Sequence, residues 1–272
     1  MSHDELLIMK ALEAMCSADA ILVTAGAGMS VDSGLPDYRG TEGFWNHYPV
    51  YRDLRADYAS MTRPSGFVRD PAFAWGFYGH RLNLYRKARP HRGYTALSKI
   101  CQTYPDRHFV LTSNVDGLFL KAGFSEASLR ECHGSIHRLQ CIHPCRRETW
   151  SSDACEINVA PDTMLAQEPL PHCKFCGGLA RPALFAFGDT AYVWESTQEQ
   201  ADRYQEWRAR MRGGKLAVIE CGVGPTVPGL RREGQQAARE SGGTLLRINP
   251  GDSSIDHPDD LSIAMGAEEA LL

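Results

Sequence analysis

The sequence predicts an α/β protein with a Rossmann-like, doubly wound parallel sheet and a smaller inserted zinc-ribbon and helical domain. Two observations support this prediction. Short apolar runs alternate with helical patterns along most of the chain, as expected for a mostly parallel sheet covered on both faces. Four cysteines in two close pairs interrupt this alternation, and their polar, irregular surroundings indicate a small metal-stabilised insertion.

The predicted elements can be placed in order along the chain. Apolar residues at helical spacing predict helices over residues 4–18, 94–101, 198–212 and 230–240, the third of them a charged surface helix. Continuous apolar runs predict buried strands over residues 20–24, 108–112, 183–187, 215–220 and 244–249. We therefore predict a Rossmann-like domain from residues 1–40, 93–136 and 182–272, and a small helical and zinc-ribbon domain from residues 41–92 and 137–181.

Composition excludes several classes of function. The chain has 272 residues, of which 43% are hydrophobic and 23% charged, as in ordinary globular proteins. Its formal net charge of −4 offers no positive field for nucleic acid or an anionic membrane surface. No apolar run approaches the roughly 20 residues that span a bilayer, and the N-terminus shows no secretory pattern. We expect no nucleic-acid or membrane partner and a cytoplasmic location, and the oligomeric state stays open.

The paired cysteines are the clearest candidate metal ligands. Cys141 and Cys145 form one pair, and Cys173 and Cys176 form the other. Thiolates at this spacing suit one tetrahedral zinc ion, because each short turn presents two sulfur atoms. The alternatives are four incidental thiols, or ligation by one of the two histidines beside the pairs. We predict a structural zinc site with four thiolate ligands and no open coordination position.

Gly26-Ala27-Gly28 directly follows the first predicted strand. Glycine at such a turn lets backbone N–H groups approach a pyrophosphate, and the N-terminus of the next helix adds a favourable dipole. The same turn can also be only a tight connection between strand and helix, so the turn alone leaves both interpretations open. A third glycine is missing from the standard Rossmann offset, which disfavours a simple dehydrogenase.

A series of motifs in a fixed order is more specific than any one of them. They are Gly26-Ala27-Gly28-Met29-Ser30, Gly34-Leu35-Pro36-Asp37-Tyr38-Arg39-Gly40, Thr112-Ser113-Asn114-Val115-Asp116-Gly117, His133-Gly134-Ser135, the two cysteine pairs, Phe187-Gly188-Asp189, Gly222-Val223-Gly224 and Ile248-Asn249. In this order they resemble the sirtuin family of NAD-dependent protein deacylases across essentially the whole chain. The resemblance implies NAD as co-substrate, one structural zinc ion, and an acyl-lysine protein or peptide as partner.

The resemblance also implies a role for each matching residue. The pyrophosphate and the mobile cofactor loop would involve Gly26, Ala27, Gly28, Ser30, Asp37, Tyr38 and Arg39. The riboses, the carboxamide and the adenosine side of NAD would contact Ser113, Asn114, Asp116, Gly222, Val223, Gly224 and Asn249. His133 would be the general base, since an imidazole with a pKa of about 6.5 accepts a hydroxyl proton near neutral pH. Asn114 would be the second catalytic residue.

Substrate-binding residues are implied at two places. Phe187, Gly188 and Asp189 would lie on the strand beside which an acyl-lysine peptide adds as a further strand. Tyr78 and Arg81 lie three apart on one predicted helix face, and they are similar to the pair with which some sirtuins bind negatively charged acyl groups. A succinyl or malonyl preference is a hypothesis that depends on these two residues. The alternative is a surface arginine beside a core tyrosine.

Three positions depart from the family pattern. Ser113 replaces a glutamine, Gly222-Val223-Gly224 replaces a glycine followed by two hydroxyl residues, and Tyr38 replaces a phenylalanine. Some of these features resemble macrodomain-linked microbial sirtuins that act as protein ADP-ribosyltransferases, although those lack the His-Gly pair that this chain keeps. We expect a protein-lysine deacylase. The alternatives are a protein mono-ADP-ribosyltransferase or NAD glycohydrolase, and a non-catalytic NAD-binding zinc module.

Overall fold

The computed structural model describes residues 3–36, 40–186, 188–226 and 228–272, and its strands form two sheets. The strands are β1 (Ala20–Ala25), β2 (His108–Thr112), β3 (Leu129–Glu131), β4 (Gly134–Cys141), β5 (Trp150–Ser151), β6 (Ala180–Leu184), β7 (Leu216–Cys221), β8 (Thr244–Ile248) and β9 (Leu261–Ile263). The large sheet has the order β3-β2-β1-β7-β8-β9, and every neighbouring pair in it is parallel. The small sheet has the order β5-β4-β6 and is antiparallel.

The helices surround and connect these sheets. They are α1 (His3–Cys16), α2 (Gly40–His47), α3 (Pro49–Asp53), α4 (Tyr58–Met61), α5 (Gly66–Arg69), α6 (Pro71–Lys87), α7 (Arg92–Gln102), α8 (Leu118–Lys121), α9 (Glu195–Arg210), α10 (Gly229–Glu240) and α11 (Ala267–Leu271), with 3-10 turns at Ala27–Ser33 and Glu126–Ser128. No helix in the described ranges is both long and apolar enough to cross a bilayer.

The large sheet buries side chains on both of its faces, which explains why its strands read as continuous apolar runs. On one face Leu22 and Val218 pack with Tyr204 and Trp207 of α9 and with α10. On the other face alternate residues of the same strands join a cluster that includes α6 and α7. Helices therefore cover both faces, and the predicted doubly wound α/β fold is confirmed.

The strand order locates the most favourable place for a ligand. β1 and β7 are neighbours, while the chain leaves β1 toward β2 on one side and leaves β7 toward β8 on the other. In open parallel sheets, ligands bind beyond the carboxyl ends of the strands where the strand order reverses in this way. That place is the gap between the loop after β1 and the loop after β7.

The small sheet carries the cysteine pairs. β4 ends at Cys141, and its register with β6 places Cys141 opposite Ala180 and Gly134 opposite Leu184. A small antiparallel module with four cysteines agrees with the predicted inserted zinc ribbon. Its hydrophobic contacts are continuous with the main core, because one buried cluster contains Ile21 of β1 together with Leu139 of β4. The predicted domain boundaries stay a prediction.

Two sequence predictions about elements were wrong. The strand predicted over residues 183–187 lies instead at Ala180–Leu184, because pairing with β4 fixes its register and a buried ion pair turns the chain after it. The helix predicted over residues 198–212 is Glu195–Arg210, and it is more than a surface helix. Its Tyr204 and Trp207 rings pack 5.3 and 5.7 Å from the ring of Phe109.

Candidate active site

Two glycine turns meet at the point where the strand order reverses. The Gly28 N–H donates to the carbonyl oxygen of Gly222 at 3.1 Å, and the Gly26 N–H donates to that of Cys221 at 3.0 Å. Gly222 has a φ of +61°, and a Cβ atom there would lie 2.3 Å from the Gly28 carbonyl carbon and the Met29 nitrogen. Only glycine fits at this position, and the two turns therefore form one rigid rim.

The rim leaves donors for a phosphate group. The amides of Gly26, Gly28 and Gly222 bond to other backbone groups. For the Val223 and Gly224 amides the structure gives no acceptor within the described ranges, and nothing lies within 4 Å of a Cβ built at Gly224. Unpaired amides beside open space suit a pyrophosphate. The donor set at this rim therefore fits NAD.

A buried polar cluster lies beside the rim and centres on Ser30. The Ser30 hydroxyl donates to Oδ2 of Asp116 at 2.6 Å and accepts from Nδ2 of Asn114 at 3.0 Å. The Asn114 amide also donates to the carbonyl oxygen of Gly26 at 2.9 Å. The Tyr94 hydroxyl lies 3.2 Å from the Ser30 oxygen, and it donates because the Ser30 proton is directed to Asp116. Ser30, Asn114 and Asp116 thus converge in one cluster, and their predicted contacts with NAD stay predictions.

Burial determines the electrostatics of this cluster. Burial raises the pKa of Asp116, although the Ser30 hydroxyl and the Leu118 amide, which both donate to its carboxylate, act in the opposite direction. Burial also raises the pKa of Tyr94 well above its ordinary value, with the Asp116 charge as a second cause. The sequence reasoning missed Tyr94. It lies on α7, far from every recognised motif, and no local pattern connects it to Ser30.

His133 follows β3 and is oriented by two hydrogen bonds. Its Nδ1 lies 3.2 Å from the carbonyl oxygen of Ser113. A carbonyl only accepts, so Nδ1 carries the proton and Nε2 of the neutral ring keeps its lone pair. The Phe185 N–H donates to the His133 carbonyl at 3.0 Å and ties the base to the end of β6. Burial lowers the pKa of His133, and the bond to Ser113 opposes this.

The four paired cysteines converge at the end of the small sheet. The Sγ atoms of Cys141 and Cys176 are 3.7 Å apart, and those of Cys145 and Cys173 are 3.6 Å apart. All four sulfur atoms lie within 4.8 Å of one another. A tetrahedral zinc with thiolate bonds of about 2.3 Å separates its sulfur ligands by about 3.8 Å. The sulfur positions therefore fit one zinc ion held by four thiolates.

Comparison with known proteins identifies the family. Residues 26–207 match the Sir2 family. The chain belongs to the Sir2 family. An NAD-dependent protein deacylase of Pyrococcus abyssi is 29% identical to it over 97% of this chain and 95% of that protein. A solved Sir2 homologue in complex with NAD has a TM-score of 0.73, covers all of this chain and 91% of its own, and shares the fold at 24% identity.

A further relative carries a different name. A Fusarium oxysporum protein, named a probable bifunctional ADP-ribose hydrolase/ADP-ribosyltransferase, is 31% identical over 90% of this chain. The match covers 42% of that protein. The chain is therefore similar both to a relative named a protein deacylase and to a relative named a probable ADP-ribose hydrolase/ADP-ribosyltransferase.

In this Sir2 family member, Tyr78 and Arg81 are both buried on α6. The Arg81 guanidinium donates through Nη2 to the Tyr85 hydroxyl at 2.9 Å, and its carbon lies 5.2 Å from the centre of the Phe77 ring. The Tyr78 hydroxyl donates to the Thr62 carbonyl at 3.5 Å. The alternative of a surface arginine is wrong, because Arg81 lies inside an aromatic cluster.

Asp189 has a different position from the one expected. Gly188 and Asp189 lie outside any strand, so their predicted place on a peptide-pairing strand is wrong. Both oxygens of the Asp189 carboxylate accept from Nη2 of Arg181, at 2.9 and 2.7 Å, and both side chains are buried. This ion pair fixes the turn after β6.

Four of the predicted site residues lie outside the described residues: Asp37, Tyr38, Arg39 and Phe187.

Asn249 follows β8 and supports the rim from the other side. Its Nδ2 donates to the Val223 carbonyl at 3.2 Å, and its Oδ1 accepts from the amides of Gly251 and Asp252. The side chain is buried, and it holds the loop that contains Val223 and Gly224. Its predicted contact with the adenosine ribose stays a prediction.

Proposed function

We propose that this chain is an NAD-dependent protein-lysine deacylase that transfers the acyl group to ADP-ribose and releases nicotinamide. The observation that carries the proposal is the state of His133. Its Nδ1 proton is directed to the Ser113 carbonyl, and burial keeps the ring neutral, so Nε2 can accept a proton at neutral pH. A non-catalytic NAD-binding module has no need of a base prepared in this way.

Bound NAD supplies a ribose carbon that becomes electrophilic as nicotinamide leaves. The chain's own residues prepare that event. Val223 and Gly224 offer amides to the pyrophosphate, while Asn114 and Asp116 hold the nicotinamide half in the orientation that the Ser30 cluster fixes. His133 takes the proton of a ribose hydroxyl at Nε2, so that the hydroxyl oxygen can bond to the acyl carbon. The bond from that carbon to the lysine nitrogen then breaks, and the lysine amine leaves with a proton.

Zinc has a structural part in this proposal. Cys141, Cys145, Cys173 and Cys176 would hold the ion with no position left for a reacting molecule. The ion would fix the register of β4 against β6, and β4 begins one residue after His133. The thiolates would thus influence the position of His133 only through the backbone of β4.

One assay tests the proposal against its alternatives. Nicotinamide release is measured with and without an acetyl-lysine peptide, and products are identified by mass. A deacylase releases nicotinamide only with the peptide and forms O-acyl-ADP-ribose. Peptide-independent release with ADP-ribose on protein or water would instead establish an ADP-ribosyltransferase or NAD glycohydrolase. Nucleotide binding without release would establish a non-catalytic module.

The acyl group that we propose carries a carboxylate, as in succinyl- or malonyl-lysine. Support comes from Arg81, whose guanidinium lies among the rings of Tyr58, Phe77, Tyr78 and Tyr85. A cation buried among aromatic rings would bind a carboxylate with a charge-assisted bond of low solvent screening.

Competition between acyl peptides tests this preference. Arg81→Met should lower kcat/KM for the succinyl peptide at least tenfold relative to the acetyl peptide. Arg86→Met is a matched control on the same helix, because Arg86 donates to the carbonyls of Ser152 and Cys155. It should leave the ratio of the two substrates unchanged. A wild-type preference for acetyl-lysine that Arg81→Met does not alter would refute the hypothesis.

A further inference from the structure

A network of charged side chains lies beside the loop that follows β7. Glu220, the second-last residue of that strand, is buried, and two arginines approach its carboxylate. Arg247 of β8 is its register partner and donates through Nε to Oε1 of Glu220 at 2.5 Å. The Nε of Arg231 on α10 lies 3.8 Å from the same oxygen. One buried carboxylate thus orients two guanidinium groups that come from different elements.

The nitrogens of Arg231 reach two loops at once. Nη1 donates to Oδ2 of Asp252 at 3.0 Å, and Nη2 donates to the Asp252 carbonyl at 2.6 Å. Nε donates to the Val223 carbonyl at 3.3 Å. The guanidinium is planar, so the two bonds to Asp252 fix the direction of the Nε–H group. Since the Arg231 side chain is only 11% exposed, water competes little for these bonds.

The Val223 carbonyl accepts a second bond, from Nδ2 of Asn249 at 3.2 Å. The peptide bond between Val223 and Gly224 is trans. In a trans peptide unit the C=O of one residue and the N–H of the next lie in one rigid plane and point in opposite directions. Two donors that hold the Val223 carbonyl therefore direct the Gly224 N–H away from Arg231 and Asn249.

We propose that Arg231 is a positioning residue that holds the Gly224 amide in the direction in which it donates to a pyrophosphate oxygen. The inference rests on the proposed function, which assigns the pyrophosphate of NAD to this rim. Neither Val223 nor Gly224 has a side-chain donor, so the direction of the backbone decides how well the loop binds a phosphate. A charged donor on the Val223 carbonyl also polarises the peptide unit and strengthens its N–H as a donor.

Binding of ADP-ribose and of adenosine to the intact protein tests this role, because only ADP-ribose contains the pyrophosphate. Arg231→Met should weaken ADP-ribose binding roughly tenfold, as expected for the loss of a hydrogen bond from a charged group, and should change adenosine binding little. Arg231→Lys keeps the charge but puts a methylene group where Nε lies, so it should weaken ADP-ribose binding as much as Arg231→Met does. Arg239→Met is the matched control, because Arg239 joins the same helix to Asp260 and should not affect binding.

The amide resonance of Gly224 gives a direct readout. It should move downfield when ADP-ribose binds to the wild type and move less in Arg231→Met. Wild-type affinity in Arg231→Lys would show that charge alone matters, and equal weakening of adenosine would show a general loss of order. A lower free energy of unfolding with unchanged affinity, or a wild type that does not bind ADP-ribose, would also overturn the proposal. A protein that binds ADP-ribose in this way but does not deacylate would contradict the proposed function alone.

Discussion

Two polar clusters of this protein are built in opposite ways. The Ser30 cluster is held together by the protein's own side chains, because within the described residues the hydrogen bonds of the Ser30 hydroxyl go to Tyr94, Asn114 and Asp116. The cysteine cluster brings four sulfur atoms within 4.8 Å of one another, so that as thiolates they would repel one another unless a cation lay between them. One cluster is organised by hydrogen bonds within the protein, and the other has the arrangement of a site for one metal ion.

This difference separates two kinds of dependence. Loss of zinc should remove the order of the small sheet, whereas single changes in the Ser30 cluster should weaken a site that stays folded. β4 runs from Gly134, next to His133, to Cys141, and so it links the cysteine cluster to the candidate base. Perturbing each cluster in turn tests whether stability and catalysis depend on different regions.

The largest effect is expected from the metal cluster. Structural zinc contributes apparent free energies of about 10–16 kcal/mol in small zinc domains, so Cys173→Ser or chelation should unfold the small sheet and abolish activity. Metal content, near-UV circular dichroism and nicotinamide release measure this. Cys155→Ser is the control, because Cys155 lies outside the cluster. Full activity after verified metal loss would contradict the structural role.

The next effect concerns catalysis with little change in stability. His133→Ala should lower the turnover of acyl peptide by roughly 10²- to 10⁴-fold, the usual contribution of general-base catalysis. The melting temperature should change little, because the substitution removes a single hydrogen bond of the ring, the one to the Ser113 carbonyl. His108→Ala, at the far end of β2, should retain activity. If His133→Ala did not change the rate of deacylation, His133 would not be the general base.

The pH dependence of turnover also tests the role of His133 as a general base. Burial lowers the pKa of His133 below its ordinary value of about 6.5. The neutral, active form should therefore persist to lower pH than for a free imidazole. Activity should rise with pH through a midpoint below about 6.5 and be level at neutral pH. A midpoint above that value in kcat/KM would contradict a buried, neutral base.

A third test separates structure from substrate binding at Asp189. Asp189→Asn leaves the buried Arg181 without its counter-charge, and breaking such a pair costs about 3–5 kcal/mol. The free energy of unfolding should fall by that amount in urea titrations, while the KM for peptide in the folded fraction stays unchanged. Asp153→Asn, an exposed carboxylate, is the control. If Asp189→Asn were as stable as the wild type but had a higher KM for peptide, Asp189 would be a substrate-binding residue.

The smallest effect is expected inside the Ser30 cluster. Tyr94→Phe removes one neutral donor to Ser30, which costs about 1 kcal/mol. Ser30→Ala should cost more, about 1–3 kcal/mol, because it leaves Tyr94, Asn114 and Asp116 each short of a partner. Unfolding titrations and the KM for NAD measure both variants. Equal effects of the two would contradict the central place of Ser30.

Much of the fold follows from local patterns. The runs 20–24, 108–112, 215–220 and 244–249 became strands of the parallel sheet because continuous apolar runs suit strands buried on both faces. The three-residue strand β3 was missed, since three residues carry no measurable periodicity. The error at residues 183–187 has a similar cause, because cross-strand register is decided by the partner strand and not by the run itself.

By itself, the sequence determined the class of fold, the glycine rim, the cysteine set and the family, since each of these depends on residue types at short spacings. Tertiary structure alone decided which groups meet. Tyr94 reaches Ser30 across 64 positions and Asp116 reaches it across 86. Arg181 forms a buried ion pair with Asp189, and Arg130 and Glu233 line one cavity. Such pairings depend on packing between distant elements and on burial, which sets the strength of charges and hydrogen bonds only after the chain has folded.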